Sequence, residues 1–199
     1  MAIRIGPVDE TDLIARAVQG DEEALAALYN RHAPALYRLA YGLLGDAEDA
    51  EEVVQDALAY ALRRLDHYDP TRSAFTTWLH TITVSRCRNK RRRRWLPSLR
   101  LADWLERGRD LPDPDADLEA VVVADEEARQ VWEAVQQLSP VVREVVVLRY
   151  WGGHTIPEIA RIVGCPPATA QSRLRLAHEQ LRRHLHPLST SWSPAEEAG

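Results

Sequence analysis

The chain has 199 residues, 45% of them hydrophobic and 28% charged, with a formal net charge of -5 at pH 7. That balance is globular and argues against a disordered chain, and two distant cysteines, Cys87 and Cys165, do not make a disulfide framework. No run approaches the roughly 20 apolar residues that span a bilayer, and Met1-Ala2-Ile3-Arg4 opens no apolar stretch of signal-peptide length, so a reducing cytoplasm is the expected compartment.

The first half reads as four helices. Asp9 or Thr11 caps a short one through Val18, closed by Gly20. Asp21 caps the second, with Leu25, Leu28, Tyr29, Leu36, Leu39 and Leu43 in helical period and Gly45 at its end; Pro34 is expected to kink or interrupt it. Asp46 opens the third, whose apolar stripe runs Ala50, Val53, Val54, Ala57, Leu58, Ala61, Leu62 and Leu65. After the loop 67–72, Ser73 is expected to cap a fourth helix with Phe75, Trp78, Leu79 and Ile82 on one face.

The middle changes character. Trp95 to about Glu119 carries Pro97, Pro112 and Pro114 and then acidic residues, as a linker does; Leu99, Leu101, Trp104 and Leu105 suit a short docked helix. Helix returns from Val121 to Leu138, with Val131, Trp132, Val135 and Leu138 on one face. Ser139-Pro140 starts another helix, stopped by Gly152-Gly153. Thr155 and Glu158 form a capping box for Ile156 to Val163, Gly164 ends that helix, and a last one runs from Pro167 to about Leu185. No strand pattern is convincing, so the expected fold is all-α: two small helical domains joined by an acidic linker.

Charge is polarised along this order. Seven of the nine residues from Arg86 to Arg94 are basic, the stretch Asp110 to Ala128 holds eight Asp or Glu and no Lys or Arg, and from Gln137 to Leu185 seven Arg face three Glu. A negative total therefore coexists with cationic surfaces.

Three constellations carry chemistry. Two helices joined by a short Gly-containing turn, Thr155 to Leu185, have the form of a helix-turn-helix, and Thr169, Gln171, Ser172 and Arg175 near the start of the second helix supply donors and acceptors for base edges. An ordinary helical hairpin with a polar face is the plainer reading. The arginine run suits phosphate binding; the aromatics before it, Phe75 and Trp78, read either as core or as contacts to unstacked bases, with core favoured by their period. The third helix has an acidic face of Glu48, Asp49, Glu51, Glu52 and Asp56 around Gln55, which helix-dipole compensation explains in the first turn only; a protein-binding face remains open. Catalytic patterns are thin. The seven histidines are scattered, no Cys/His cluster has metal-ligand spacing and no phosphate loop is present, so no cofactor, metal, catalytic residue or small-molecule substrate is expected. Cys87 among arginines is a minor redox candidate through a lowered pKa.

In series, these tracts resemble the extracytoplasmic-function (ECF) sigma factors of the sigma-70 family. Asp49-Ala50-Glu51-Glu52-Val53-Val54-Gln55-Asp56 is similar to the family's polymerase-binding signature, and Phe75-Thr76-Thr77-Trp78-Leu79-His80-Thr81-Ile82 with the following arginines to its segment for the promoter -10 element. Leu138-Ser139-Pro140, Val147-Leu148-Arg149-Tyr150, Ile159-Ala160 and Thr169-Ala170-Gln171-Ser172-Arg173-Leu174 resemble its -35 reading region.

The resemblance implies region 2 at 9–94, a linker at 95–120, region 4 at 121–186 and a tail at 187–199, too short for the added C-terminal domain of some members. It implies bacterial core RNA polymerase as partner, through Asp49, Glu52, Gln55 and Asp56. Melted -10 DNA falls to Tyr68, Arg72, Ser85, Arg86, Arg88, Asn89, Arg92 and Arg93, with a base captured by the loop 68–73. Duplex -35 DNA falls to Arg149, Thr169, Gln171, Ser172, Arg173 and Arg175. It further implies a linker that threads toward the polymerase cleft, and a cognate anti-sigma factor that holds the protein inactive, at the membrane in some cases, until it joins the nucleoid. Ser85, Asn89 and Gln171 depart from the usual Asn, Asp and basic residue, which puts base preference at both elements in question. The alternatives are a stand-alone helix-turn-helix regulator, which leaves the acidic and arginine-rich helices unexplained, and an RNA-processing or nuclease enzyme, for which no acid–base or metal site is found.

Overall fold

The computed structural model describes residues 9–95 and 126–185. The expected helix at Leu99–Leu105, the linker beyond Trp95 and the tail from 187 lie outside the described residues.

Eight α-helices and no strand make up the described residues: α1 (Glu10–Val18), α2 (Glu22–Leu44), α3 (Ala47–Arg63), α4 (Phe75–Trp95), α5 (Glu126–Gln137), α6 (Pro140–Tyr150), α7 (Ile156–Val163) and α8 (Pro167–Leu185), with a 3-10 turn at Leu65–His67. Local chemistry sets most boundaries. Asp9 caps α1, Asp21 accepts from the Glu23 and Ala24 amides at 3.0 and 3.1 Å to start α2, and Asp46 accepts from Asp49 N at 2.9 Å to start α3. The amide of Ala24, followed by the Arg16 guanidinium, holds the Asp21 carboxyl below the usual carboxylate range. Gly45 ends α2 in the left-handed conformation, φ 70°, where a Cβ is disfavoured.

Three local expectations need correction. Of the kink or interruption expected at Pro34, the interruption does not occur: α2 runs on through it, and Pro34 and Asn30, whose carbonyl loses the N–H it would have accepted, both face solvent, which can supply that bond. Ser73 is not the cap of α4, because Ala74 directly precedes the first helical residue and its carbonyl accepts the Trp78 amide at 3.1 Å. Ser73 instead offers its carbonyl to Tyr68 Oη at 3.1 Å. Val131 is 40% exposed, while Ala134 and Val135 carry the buried face of α5 and Leu138, just past its end, is buried with them.

Packing centres on α4. Its N-terminal half buries Phe75 and Leu79 against α2 and α3, and the ring of Phe75 meets His32, Tyr68 and Trp78 at centroid distances of 5.2, 5.0 and 5.7 Å. Phe75 is therefore core, and Trp78 is half-buried against it. Helix α4 also packs on α7, which explains why Thr83 and Cys87 are fully buried along a helix of weak amphipathicity. Thr83 satisfies its hydroxyl by donating to Leu79 O at 2.9 Å.

The C-terminal half wraps α8 around α5, α6 and α7. Val145 to Leu148 of α6 are almost completely buried, because one side of α6 meets α8 and the other meets α2. The two halves thus share one continuous apolar core. Gly42 makes that contact close, since a Cβ there would stand 3.0 Å from Val147 Cγ1.

Candidate nucleic-acid interface

Helices α3 and α4 form one electrostatic unit. Lys90 of α4, with only 14% of its side chain exposed, lies 3.1 Å from Asp49 Oδ1 and forms a short bond to Glu52. Two of the four expected polymerase-facing residues are therefore held from within the fold, while Gln55 and Asp56 are exposed on the next turn of α3.

The expected -10 residues divide by face. Ser85, Arg92 and Arg93 are exposed, and Arg92 donates to Asn89 Oδ1 at 3.3 Å. Arg86 lays its guanidinium over the Tyr60 ring at 4.7 Å, a contact that fixes its direction. Arg88 instead turns inward. Its Nη2 donates to Glu144 Oε2 at 2.6 Å and to Val163 O at 3.1 Å, and its Nε lies 3.1 Å from Glu144 Oε1. Arg91 donates to the other side of the same carboxylate at 2.5 Å, and Glu144 is 2% exposed.

In the loop before α4, Asp69 accepts from both the amide and the hydroxyl of Thr71 at 2.9 and 2.7 Å. Tyr68 is half-buried beneath that loop, and burial pushes its phenol up. An open cleft runs between α1 and the loop, bordered by Thr11, Ile14, Val18, Leu65, Tyr68 and Pro70. Arg72 is exposed, and its carbonyl accepts from Arg161 at 3.3 Å.

Helices α7 and α8 build the helix-turn-helix. The Glu158 carboxylate accepts from the amide and hydroxyl of Thr155 at 2.8 and 2.7 Å, which holds it below its ordinary pKa. Gly164, φ 74°, ends α7, and Ile159, Ala160, Ile162 and Val163 are buried. At the start of α8, Gln171, Ser172 and Arg175 are exposed on one side; Ser172 Oγ donates to Ala168 O at 2.8 Å and accepts from Arg175 at 3.3 Å. Thr169 and Arg173 are half-buried. Arg149 is exposed but donates to His154 O at 2.9 Å, which holds it against the α6–α7 turn.

Sequence reasoning missed Lys90, Glu144, His80 and His154, and it placed Arg91 with the phosphate-binding arginines rather than against Glu144. Glu144 had a signal: it is the one acid in the apolar run Val141 to Leu148, where an unpaired carboxylate would be prohibitive. His80 and His154 are both buried, with His80 Nδ1 2.6 Å from His154 Nε2. Cys87 does not fit a reactive thiol, because burial pushes it up to about 12 despite nearby Arg91. No group of three or more His, Cys, Asp or Glu suited to a metal ion occurs among the described residues.

Comparison with known proteins places these surfaces in context. The family Sigma-70 region 2 matches residues 28–96, and Sigma-70, region 4 matches 128–181. The chain is 30% identical to the ECF RNA polymerase sigma factor RpoE of Cereibacter sphaeroides, over 89% of this chain and 97% of that one. It is 34% identical to the ECF RNA polymerase sigma factor SigM of Mycobacterium tuberculosis, over 91% and 87%. Among solved structures, CnrH in complex with the cytosolic domain of CnrY aligns at a TM-score of 0.63 and 26% identity, covering 89% of this chain and 97% of that one. The sigma factor RpoE of Bartonella quintana, in complex with the anti-sigma factor NepR, aligns at 0.61 and 25% identity, over 77% and 91%.

Proposed function

Because the chain belongs to the ECF sigma factors of the sigma-70 family, transcription initiation factors that direct RNA polymerase to specific promoters, we propose how its own residues divide that work. The observation that carries the proposal is the Lys90 clamp. It fixes the acidic face of α3 and the arginine face of α4 at adjoining positions of one rigid unit, with a helix-turn-helix later in the same chain.

Region 2, taken as 9–94, meets core polymerase through α3. Gln55 and Asp56 make the direct contacts, and Asp49 and Glu52 shape the face from behind, since Lys90 neutralises part of their charge. Ser85, Arg86, Arg88, Asn89, Arg92 and Arg93 of α4 track the melted -10 strand. The loop 68–73 receives an unstacked base beside the cleft over Tyr68, whose rim also carries Glu10 and Asp66, with Arg72 on the phosphate, an exchange of stacking energy for sequence readout. Region 4, taken as 121–186, reads duplex -35 DNA with Gln171, Ser172 and Arg175 on base edges. Thr169, Arg173 and Arg149 hold the backbone or the turn. The linker, 95–120, crosses the polymerase between them, and an anti-sigma factor controls the protein in the cytoplasm, a reading supported by the Bartonella RpoE, which is solved in complex with the anti-sigma factor NepR. No helix among the described residues is long and apolar enough to cross a membrane.

The stand-alone regulator gives α3 no role. Co-elution with purified core polymerase separates the two: the proposal predicts a stoichiometric complex lost on Asp56→Lys, whereas specific duplex binding without any polymerase complex would overturn it.

A further inference from the structure

One stripe of α3 changes sign along its length. Glu52, Asp56, Tyr60 and Arg64 follow one another at intervals of four, so they lie on adjoining turns of one side, acids first and a guanidinium last. At the change stands the Tyr60 ring, half-buried, with Arg64 Cζ 5.5 Å from its centroid and Cζ of Arg86, on α4, 4.7 Å from it. We propose that Tyr60, Arg64 and Arg86 form a clamp for DNA phosphodiesters: Tyr60 is a positioning residue that aims both guanidinium groups, and Arg64 is a backbone contact supplied by α3. This inference rests on the function proposed above, in which α3 is otherwise a polymerase face alone.

The plainer explanation is the helix dipole, since Arg64 caps the C-terminal end of α3, where a cation is favoured. The dipole accounts for a charge at that end. It does not bring Arg86 from another helix to the same ring, against the repulsion of two cations. Nor do carboxylates hold the pair: among the described residues neither arginine has an ion-pair partner, in contrast to Arg88 and Arg91 on Glu144 and Lys90 on Asp49. The Asp66 carboxyl is lowered first by its bond to His67 at 2.8 Å and last by the charge of Arg64.

A guanidinium laid over a ring uses its face and keeps its edge donors for an acceptor. Two such groups on one ring, with no anion of their own, have the chemistry of a phosphate site. The ring also pre-orders two long side chains whose rotamer freedom binding would otherwise cost. Position favours a DNA strand over a free anion. Arg64 directly precedes the 3-10 turn at Leu65–His67 that leads into the loop 68–73, and Arg86 follows the exposed Ser85 on α4. A strand that tracks α4 and delivers a base to that loop meets the clamp with its backbone. The clamp touches no base edge, so it adds affinity without sequence preference.

The test compares the full chain with Arg64→Gln, Tyr60→Leu and Tyr60→Phe. Fluorescence anisotropy reads affinity for labelled mixed-sequence single-stranded DNA across a range of salt. Arg64→Gln should bind about 5-fold more weakly and lower the salt slope by about 0.7, the value of one phosphate contact on a single strand. Tyr60→Leu removes no charge, yet it should weaken binding about 2- to 5-fold, the range of an exposed cation–π contact. Tyr60→Phe keeps the ring and should match the parent. Arg64 is exposed, so its variant judges the clamp even if Tyr60→Leu melts. Parental affinity in Arg64→Gln or in a folded Tyr60→Leu would overturn the clamp. So would a loss in Tyr60→Phe equal to that in Tyr60→Leu, or no DNA binding by the parent at low salt. Co-elution of the parent chain with core polymerase reports separately on the function: its failure would overturn that reading while the anisotropy still judges the clamp.

Discussion

Lys90 and Asp49 face each other at 3.1 Å across the α3–α4 contact, with the Lys90 side chain 14% exposed, so the arginine-rich helix is tied to the acidic helix by a nearly enclosed ion pair. Glu52 shares the same ammonium. This gives carboxylates one turn apart different jobs. Asp56→Lys should weaken core polymerase binding at least about 10-fold, a loss of about 1.4 kcal/mol, with an unchanged melting temperature. Glu52→Lys should weaken it too, but also lower the melting temperature by several degrees, because it sets two ammonium groups together at a half-buried site. Thermal melts beside polymerase titrations check the split; equal melting temperatures for the two variants would count against it.

The recognition helix supplies a second expectation. Arg175 is exposed and donates to Ser172 Oγ at a long 3.3 Å, so its guanidinium can turn to a base edge. Arg175→Ala should weaken binding to the preferred -35 sequence by about 1–3 kcal/mol and flatten preference at one position. Promoter competition against single-base variants reads this. Uniform weakening across all sequences would reassign Arg175 to the phosphates.

Gly164 tests the turn. It closes α7 at φ 74°, with nothing within 4 Å of an added Cβ, so Gly164→Ala meets backbone strain and no clash. The expected loss is about 1–2 kcal/mol, read by denaturant unfolding.

Acid should loosen the interface between the halves. Burial, then His154 and then His32, lowers His80 from 6.5 to about 3, and burial lowers His154 as well despite Glu158 3.9 Å away. A histidine whose folded value lies below its unfolded value resists protonation in the fold. Its contribution is complete above pH 6.5 and is lost as pH falls from 6.5 toward 3. For His80 that amounts to about 2 kcal/mol by pH 5, or several degrees in melting temperature. Melts at pH 7 and pH 5 should show the drop, and His80→Gln should reduce the pH slope.

Local signals made much of this legible beforehand. Asp9, Asp21, Asp46, the Thr155–Glu158 box, Gly45 and Gly164 act within one helical turn, and each stands where the sequence puts it. Errors arose where solvent or distant contacts decide. Pro34 is tolerated because its face is wet, Ser73 gives up the capping position to Ala74, and Val131 lies off the buried face that Ala134 and Val135 define. Gln171, Ser172 and Arg175 appear on an exposed side of α8 as helical spacing requires, whereas the inward turn of Arg88 depends on Glu144, 56 residues away, which no periodicity encodes.

Run-off transcription with purified bacterial core polymerase, with and without this protein, on a library of promoter fragments tests the central claim most directly. The account predicts protein-dependent transcripts from a subset of fragments that share -35 and -10 elements, lost with Asp56→Lys. Transcripts independent of the protein, or none from any fragment together with specific duplex binding by the protein alone, would contradict it.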